Sequence, residues 1–187
     1  MNRYITTYTK IHFTPADPKI EEIYIQDIAH ALSMMTRANG HFPEFYSVAQ
    51  HCIACAGEAE ARGLSDRAAL GCLLHDASEA YLADITSPVK QDLAEYRRIE
   101  AVLQKMIYEK FLPGGLSHEE EIWVQTIDRT LFYYEFDFYM QEKMQPVPPK
   151  LYSSPVFETI DFAEAEKRYQ EVFGKLSSAV YSKSTLC

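Results

Sequence analysis

Apolar residues recur at helical spacing over most of this chain. From Asp27 onward, Ile28, Ala31, Leu32 and Met35 form one stripe, and Asn39-Gly40 ends that segment. Ser47 opens a second helix with Val48, Cys52, Cys55 and Ala59 on one face, and Gly63 closes it. Ser65 is an N-cap for a third, AALGCLLHD. The stretch from Asp84 to Pro88 interrupts the pattern, because proline cannot continue a helix. A long helix follows from about Gln91 to Phe111, stopped by Pro113-Gly114-Gly115. Ser117 with Glu120 three residues on is a capping box, which predicts a fifth helix to about Tyr139. Residues 144–160 hold four prolines and read as a surface loop, and Asp161 with Glu164 signals the cap of a last helix ending near Tyr181. Ahead of the helices, Tyr4, Thr6, Tyr8 and residues 10–13 mix β-formers, Pro15-Ala16-Asp17-Pro18 is a turn, and IEEIYI at 20–25 is a second short strand.

These elements predict an all-α domain with a small N-terminal β-hairpin. The chain is one domain over 1–187, with an extended segment at 1–25, a helical core at 26–140, and a Pro-rich loop and C-terminal helix at 141–187. Composition is that of a globular protein, with 47% hydrophobic and 24% charged residues. The 13 Tyr and 10 Phe fit a sizeable core and a subunit interface. A net charge of −9 repels phosphate backbones and anionic lipid, which argues against a nucleic-acid polymer or a membrane as partner. The N-terminus lacks a signal-peptide core and no run is long enough to span a bilayer, so a cytoplasmic location is expected. There a structural disulfide among Cys52, Cys55, Cys72 and Cys187 is not expected.

Chemistry concentrates at four positions. His75-Asp76 directly follows an apolar run in LGCLLHD. Consecutive helical residues point about 100° apart, so both can face one ion only at a helix end or bend. His51 lies in SVAQH and Asp128 in QTIDRTL, each among residues that face a core, where a lone carboxylate is expensive unless paired or bound to a cation. A set of two His and two Asp suits one divalent Mn, Co, Ni, Zn or Fe better than Mg or Ca. Other features have plainer readings. Cys52-x-x-Cys55 sits mid-helix as small buried hydrophobes, Glu119-Glu120-Glu121 complements a helix N-terminus, and His30, His41 and His118 lack the spacing of a second metal site. The run FYYEFDFY at 132–139 reads as core plus interface rather than as a stacking platform for bases.

The order His51, then His75-Asp76, then Asp128, together with IQDIAHALSMMTRANGH, YSVAQH and LLHDASEAYLADITSPVK, resembles the HD-domain metal-dependent phosphohydrolase superfamily, and within it the bacterial and phage branch related to 5′-deoxynucleotidases. The similarity covers about residues 25–135, and it implies a homodimer, with which the many aromatic residues are consistent. It implies an HD-domain helical bundle with the metal on His51, His75, Asp76 and Asp128. It further implies that Glu79 assists proton transfer, that Asp84 lies near the sugar and the reacting phosphate, and that Arg37 clamps phosphate, with Lys90 a second cation. One position departs from the pattern. Relatives often carry a bulky Trp after the Arg, where it rejects ribonucleotides, and here that residue is Ala38. Tyr46 or Phe45 is a candidate to fill the space.

The leading expectation is hydrolysis of a nucleoside 5′-monophosphate to nucleoside and phosphate. Two alternatives stand beside it: a triphosphohydrolase releasing triphosphate from deoxynucleoside triphosphates, and a non-catalytic nucleotide-binding module. Only Arg37 and Lys90 are evident as cations near the site, which favours a monophosphate.

Overall fold

The computed structural model describes residues 3–184, so Cys187 lies outside the described residues. The fold is mostly helical with one two-stranded antiparallel hairpin, β1 (Ile5–Thr6) and β2 (His12–Phe13), in which Ile5 pairs with Phe13 and Thr6 with His12. The second strand is therefore 12–13, not the predicted 20–25. Ile20–Glu22 instead form a single 3-10 turn, and helix α1 (Ile25–Met34) starts straight after. The reason lies in Asp27. Its carboxylate, buried in the first turn of α1, accepts from the backbone and hydroxyl of Thr9 at 2.6 and 2.8 Å and docks the hairpin tip on the helix.

Helix α2 (Val48–Ala61) begins with a complete capping box of Ser47 and Gln50, and α3 (Asp66–Leu74) is capped by Ser65, as their sequences predict. These two pack together at the centre, with α1, α6 (His118–Met140) and α7 (Phe162–Ser184) around them. Their apolar faces merge into one core that includes Ile28, Leu32, Cys52, Leu73, Ile127 and Tyr169. Gly71 lets the loop before α6 approach α3 closely, because a Cβ there would meet Leu116 at 2.8 Å. Helix α5 (Ala94–Phe111) flanks this core, and between α3 and α5 run a 3-10 segment, Ala77–Tyr81, and a one-turn helix α4 (Ser87–Lys90). Pro88 thus sits inside a short helix rather than ending one. It occupies the first turn, where an N–H has no intrahelical partner to lose. No helix among the described residues is long and apolar enough to cross a membrane.

The Pro-rich segment after α6 runs over the surface and is pinned by one buried carboxylate. Glu58 on α2 accepts from Tyr152 N, Ser153 N and Ser153 Oγ at 3.1, 2.8 and 2.6 Å, and from Arg62 Nε at 2.8 Å. Burial alone would raise its pKa, but the bonds from Ser153, Arg62 and Tyr152 outweigh it and hold the carboxyl below its ordinary value. Glu58→Ala leaves the half-buried Arg62 Nε and two backbone N–H groups without their acceptor. We expect a loss of about 2–4 kcal/mol in urea unfolding and early proteolysis within 141–155. The contribution of Glu58 is present above the ordinary glutamate pKa and fades as pH falls through the lower native value. Wild type and variant therefore converge in acid.

Candidate metal centre

Helix α3 ends where chemistry is needed. Its last four carbonyls have no helical partners and are taken by side chains: Gly71 by Tyr108 Oη (3.4 Å), Cys72 by His75 Nδ1 (2.8 Å), Leu73 by Tyr169 Oη (2.8 Å) and Leu74 by Gln104 Nε2 (2.7 Å). Gln104 also accepts from Ser78 N at 3.1 Å, so α5 fixes the turn that follows. His75 is the C-cap, and at Asp76 the chain leaves helical geometry with ψ at 12°. That bend lets two consecutive side chains face one point.

His51 from α2 and Asp128 from α6 face the same point. Nε2 of His51 lies 3.2 Å from Nε2 of His75, 3.2 Å from Oδ1 of Asp128 and 4.0 Å from Oδ2 of Asp76. Nε2 of His75 lies 3.3 Å from Oδ2 of Asp76 and 3.7 Å from Oδ1 of Asp128. Metal–ligand bonds of about 2.1 Å at tetrahedral or octahedral angles put neighbouring donors about 3.0–3.4 Å apart, so the spacing fits one ion.

The hydrogen bonding on the far side of each ring strengthens the fit. Nδ1 of His75 faces the Cys72 carbonyl, which only accepts, so that nitrogen carries the proton. Nδ1 of His51 faces the Glu135 carboxylate at 2.5 Å and donates likewise. When both rings are neutral, their Nε2 lone pairs face each other and two carboxylates. A proton can serve one such contact at a time, whereas a divalent cation serves all four donor atoms at once. In the ion-free chain, burial and Arg37 lower the pKa of His51, but Cys55, Glu135 and Asp128 outweigh them and raise it. Burial likewise lowers that of His75, and Asp76, Cys52 and Asp128 raise it. Burial raises the pKa of Asp128, and the two imidazoles pull it far below the ordinary range.

Cysteines border the cluster. Sγ of Cys55 lies 3.5 Å from Nε2 of His51, and His51, Cys55 and His75 form a possible metal-binding group, as do Cys52, His75 and Asp76. Cys52 Sγ approaches His75 from the Nδ1 side at 3.9 Å, away from the point where the four donors meet, and its burial raises the thiol pKa. Cys52, Cys55 and Cys72 are buried and free.

A cavity of 410 Å³ opens onto Asp76 and Asp128 and is also lined by Arg37, Glu79, Asp84 and Lys90. Arg37 lies just past α1, which ends at Met34 instead of running to Asn39-Gly40. Thr36 bridges to Ser47, Arg37 N donates to the Tyr46 carbonyl at 2.8 Å, and Ala38 and Asn39 adopt left-handed φ of 51°. A non-glycine residue there stores about 1 kcal/mol or more of strain. The Arg37 guanidinium reaches Asp76 Oδ2 at 3.5 Å and Glu135 Oε2 at 3.3 Å, and these charges keep it protonated despite burial.

Glu79 is nearly buried, and its Oε2 has no hydrogen-bond partner. Burial pushes its carboxyl up to about 9, helped by Asp76 and Asp84 and opposed by Lys90 and Arg37. Burial raises the pKa of Asp84 as well. Lys90 is 3.6 Å from Glu79 and 2.7 Å from Glu100, so its charge is partly spent inside the fold.

Three residues have no part in the sequence reading. Glu135 is buried behind His51, and Gln104 holds the turn. Phe42, rather than Tyr46 or Phe45, faces the cavity beside Ala38. Phe132 and Phe136 line it too, so part of the run 132–139 faces a cavity. Tyr133 and Tyr139 are buried and Phe138 is exposed, as alternating faces of α6 require. One signal was available for Glu135: it lies seven residues after Asp128, two turns along the same face.

No family model matches the chain. Over 115 residues it is 38% identical to the uncharacterized protein YfdR of Escherichia coli (strain K12), which covers 61% of this chain and 62% of that protein. Over 107 residues it is 37% identical to an uncharacterized protein of Rhodobacter capsulatus, covering 54% of each. The chain thus spans between half and two thirds of the length of these relatives.

Proposed function

We propose that this chain is an HD-domain metal-dependent phosphohydrolase that removes the 5′-phosphate of nucleoside monophosphates. The observation that carries the reading is the meeting of two imidazole nitrogens with carboxylate oxygens of Asp76 and Asp128, at 3.2–4.0 Å, where those two carboxylates line a cavity that also holds Arg37 and Lys90. An ion bound there supplies a Lewis acid and lowers the pKa of water.

The chain's own groups do the rest. Arg37 offers planar donors to phosphate oxygens, and Lys90 adds a point charge in the same cavity. Two cations match a monophosphate better than a triphosphate. Glu79, whose burial favours the protonated carboxyl, can pass a proton to the departing sugar oxygen, with Asp84 alongside. Phe42, Phe132 and Phe136 give the base an apolar wall, and Ala38 leaves room at the sugar.

The test strips the protein of metal and restores Mn, Co, Ni, Zn, Fe or Mg singly with ribo- and deoxynucleoside mono-, di- and triphosphates. Nucleoside plus orthophosphate from monophosphates is expected. Comparable rates on the ribo and deoxy series would follow from Ala38, and Ala38→Trp should then suppress the ribo series. Triphosphate as product, or binding without turnover under every ion, would overturn the reading.

A further inference from the structure

Glu135 is fully buried on α6, and each of its oxygens holds a different part of the site. Oε1 accepts from Nδ1 of His51 at 2.5 Å, and Oε2 accepts from Nη2 of Arg37 at 3.3 Å. The other terminal nitrogen of Arg37 reaches Oδ2 of Asp76 at 3.5 Å, and that oxygen lies 4.0 Å from Nε2 of His51. His51, Glu135, Arg37 and Asp76 therefore form a closed ring of charges. An ionised carboxylate with no exposure persists only where cations face it.

We infer that Glu135 is a positioning residue that couples the ion site to the anion clamp: one carboxylate turns Nε2 of His51 toward the ion position and holds the Arg37 guanidinium at the cavity wall. The inference rests on reading Arg37 as the phosphate clamp. The same carboxylate fixes the His51 tautomer, since Nδ1 must donate to it. It also restrains Arg37, which would otherwise be free to close onto Asp76 and compete with a cation for that oxygen. Both partners of Glu135 are donors. An amide at this position offers one acceptor and one donor, so Glu135→Gln keeps the shape and turns one of the two contacts repulsive.

The experiment reads binding, not turnover. Co²⁺ affinity is followed by visible absorption, and inorganic phosphate affinity is measured by calorimetry at saturating Co²⁺, for wild type, Glu135→Gln, Arg37→Met and the double variant. Glu135→Gln should weaken Co²⁺ by about 10–100-fold. With the ion site refilled, it should still weaken phosphate by about tenfold, and the double variant should bind phosphate no worse than Arg37→Met alone. Wild-type phosphate affinity in ion-saturated Glu135→Gln overturns the coupling, and so do additive losses in the double variant. If Glu135→Gln fails to fold, Glu135→Asp keeps the charge but is too short to hold both partners, and it gives the same two readouts. Phosphate binding indifferent to Arg37→Met refutes the clamp and the inference with it. Failure of every nucleotide to turn over, with these binding effects intact, refutes only the enzymatic reading.

Discussion

Asp76→Ala should lose both divalent-ion binding and at least about 10³-fold in turnover, because an ion's stabilisation of transition-state charge is worth several kcal/mol. Asp76 is the residue to change because it belongs to two structures. Its Oδ2 lies 3.3 Å from His75, and the same atom faces Arg37 at 3.5 Å. Alanine there removes one donor and frees Arg37 to pair with Glu135 alone. Two measurements separate loss of the site from loss of the fold. Far-UV circular dichroism should be unchanged, since Asp76 follows α3 and its side chain caps no helix. Thermal unfolding of wild type should rise by several degrees on adding excess ion, as it does for any ligand that binds only the native state, and the variant's should not move. Turnover surviving in the variant, or an equal thermal response in both, would refute the metal centre.

Glu79→Gln should lower turnover by about 10²–10⁴-fold with ion binding retained, yet make the ion-free protein more stable at pH 8 than wild type. The two effects share one cause. The carboxyl is buried, one oxygen has no partner, and its pKa is pushed up to about 9. Between the ordinary glutamate pKa of roughly 4.5 and this native value, the folded chain keeps a proton that the unfolded chain has lost. The native state therefore binds more protons, and stability must fall as pH rises through that window. The penalty is absent below the unfolded pKa and complete above the native one. Glutamine carries no such linkage, so the gain should vanish near pH 4 and reach roughly 1–3 kcal/mol at pH 8, or several degrees in Tm. The comparison is made without added ion, because a nearby dication would pull the carboxyl down. Equal stabilities at pH 8 would mean that Glu79 is solvated in the native state and has no reason to hold a proton for the reaction.

Which parts of this were legible without coordinates follows from the range of the forces involved. Helix starts were legible because capping is local. Ser47, Ser65 and Ser117 accept from backbone N–H groups three residues on, and the pattern reads directly from the chain. Ends were less so. Helix α1 stops at Met34 because Thr36 bridges to Ser47 and Arg37 to Tyr46, contacts that no periodicity reports. The second hairpin strand was misplaced for the same reason: Asp27, eighteen residues away, decides where the chain turns.

At the site, His51, His75, Asp76 and Asp128 stood out by type and order, since His and Asp in apolar surroundings need a partner. That their donor atoms lie 3.2–4.0 Å apart was decided by the packing of α2, α3 and α6 and by the four side chains that close the end of α3. Glu135 carried only the signal of lying seven residues after Asp128, which does not separate it from a solvated helix glutamate within an aromatic run. The sequence by itself determined which residues carry charge, where helices begin and which faces are apolar, because those depend on neighbours within a few positions. Only the tertiary structure decided that Glu135 and Arg37 lie behind the candidate ion site, that Phe132 and Phe136 face a cavity, and that Glu79 is buried, because burial belongs to the assembled core.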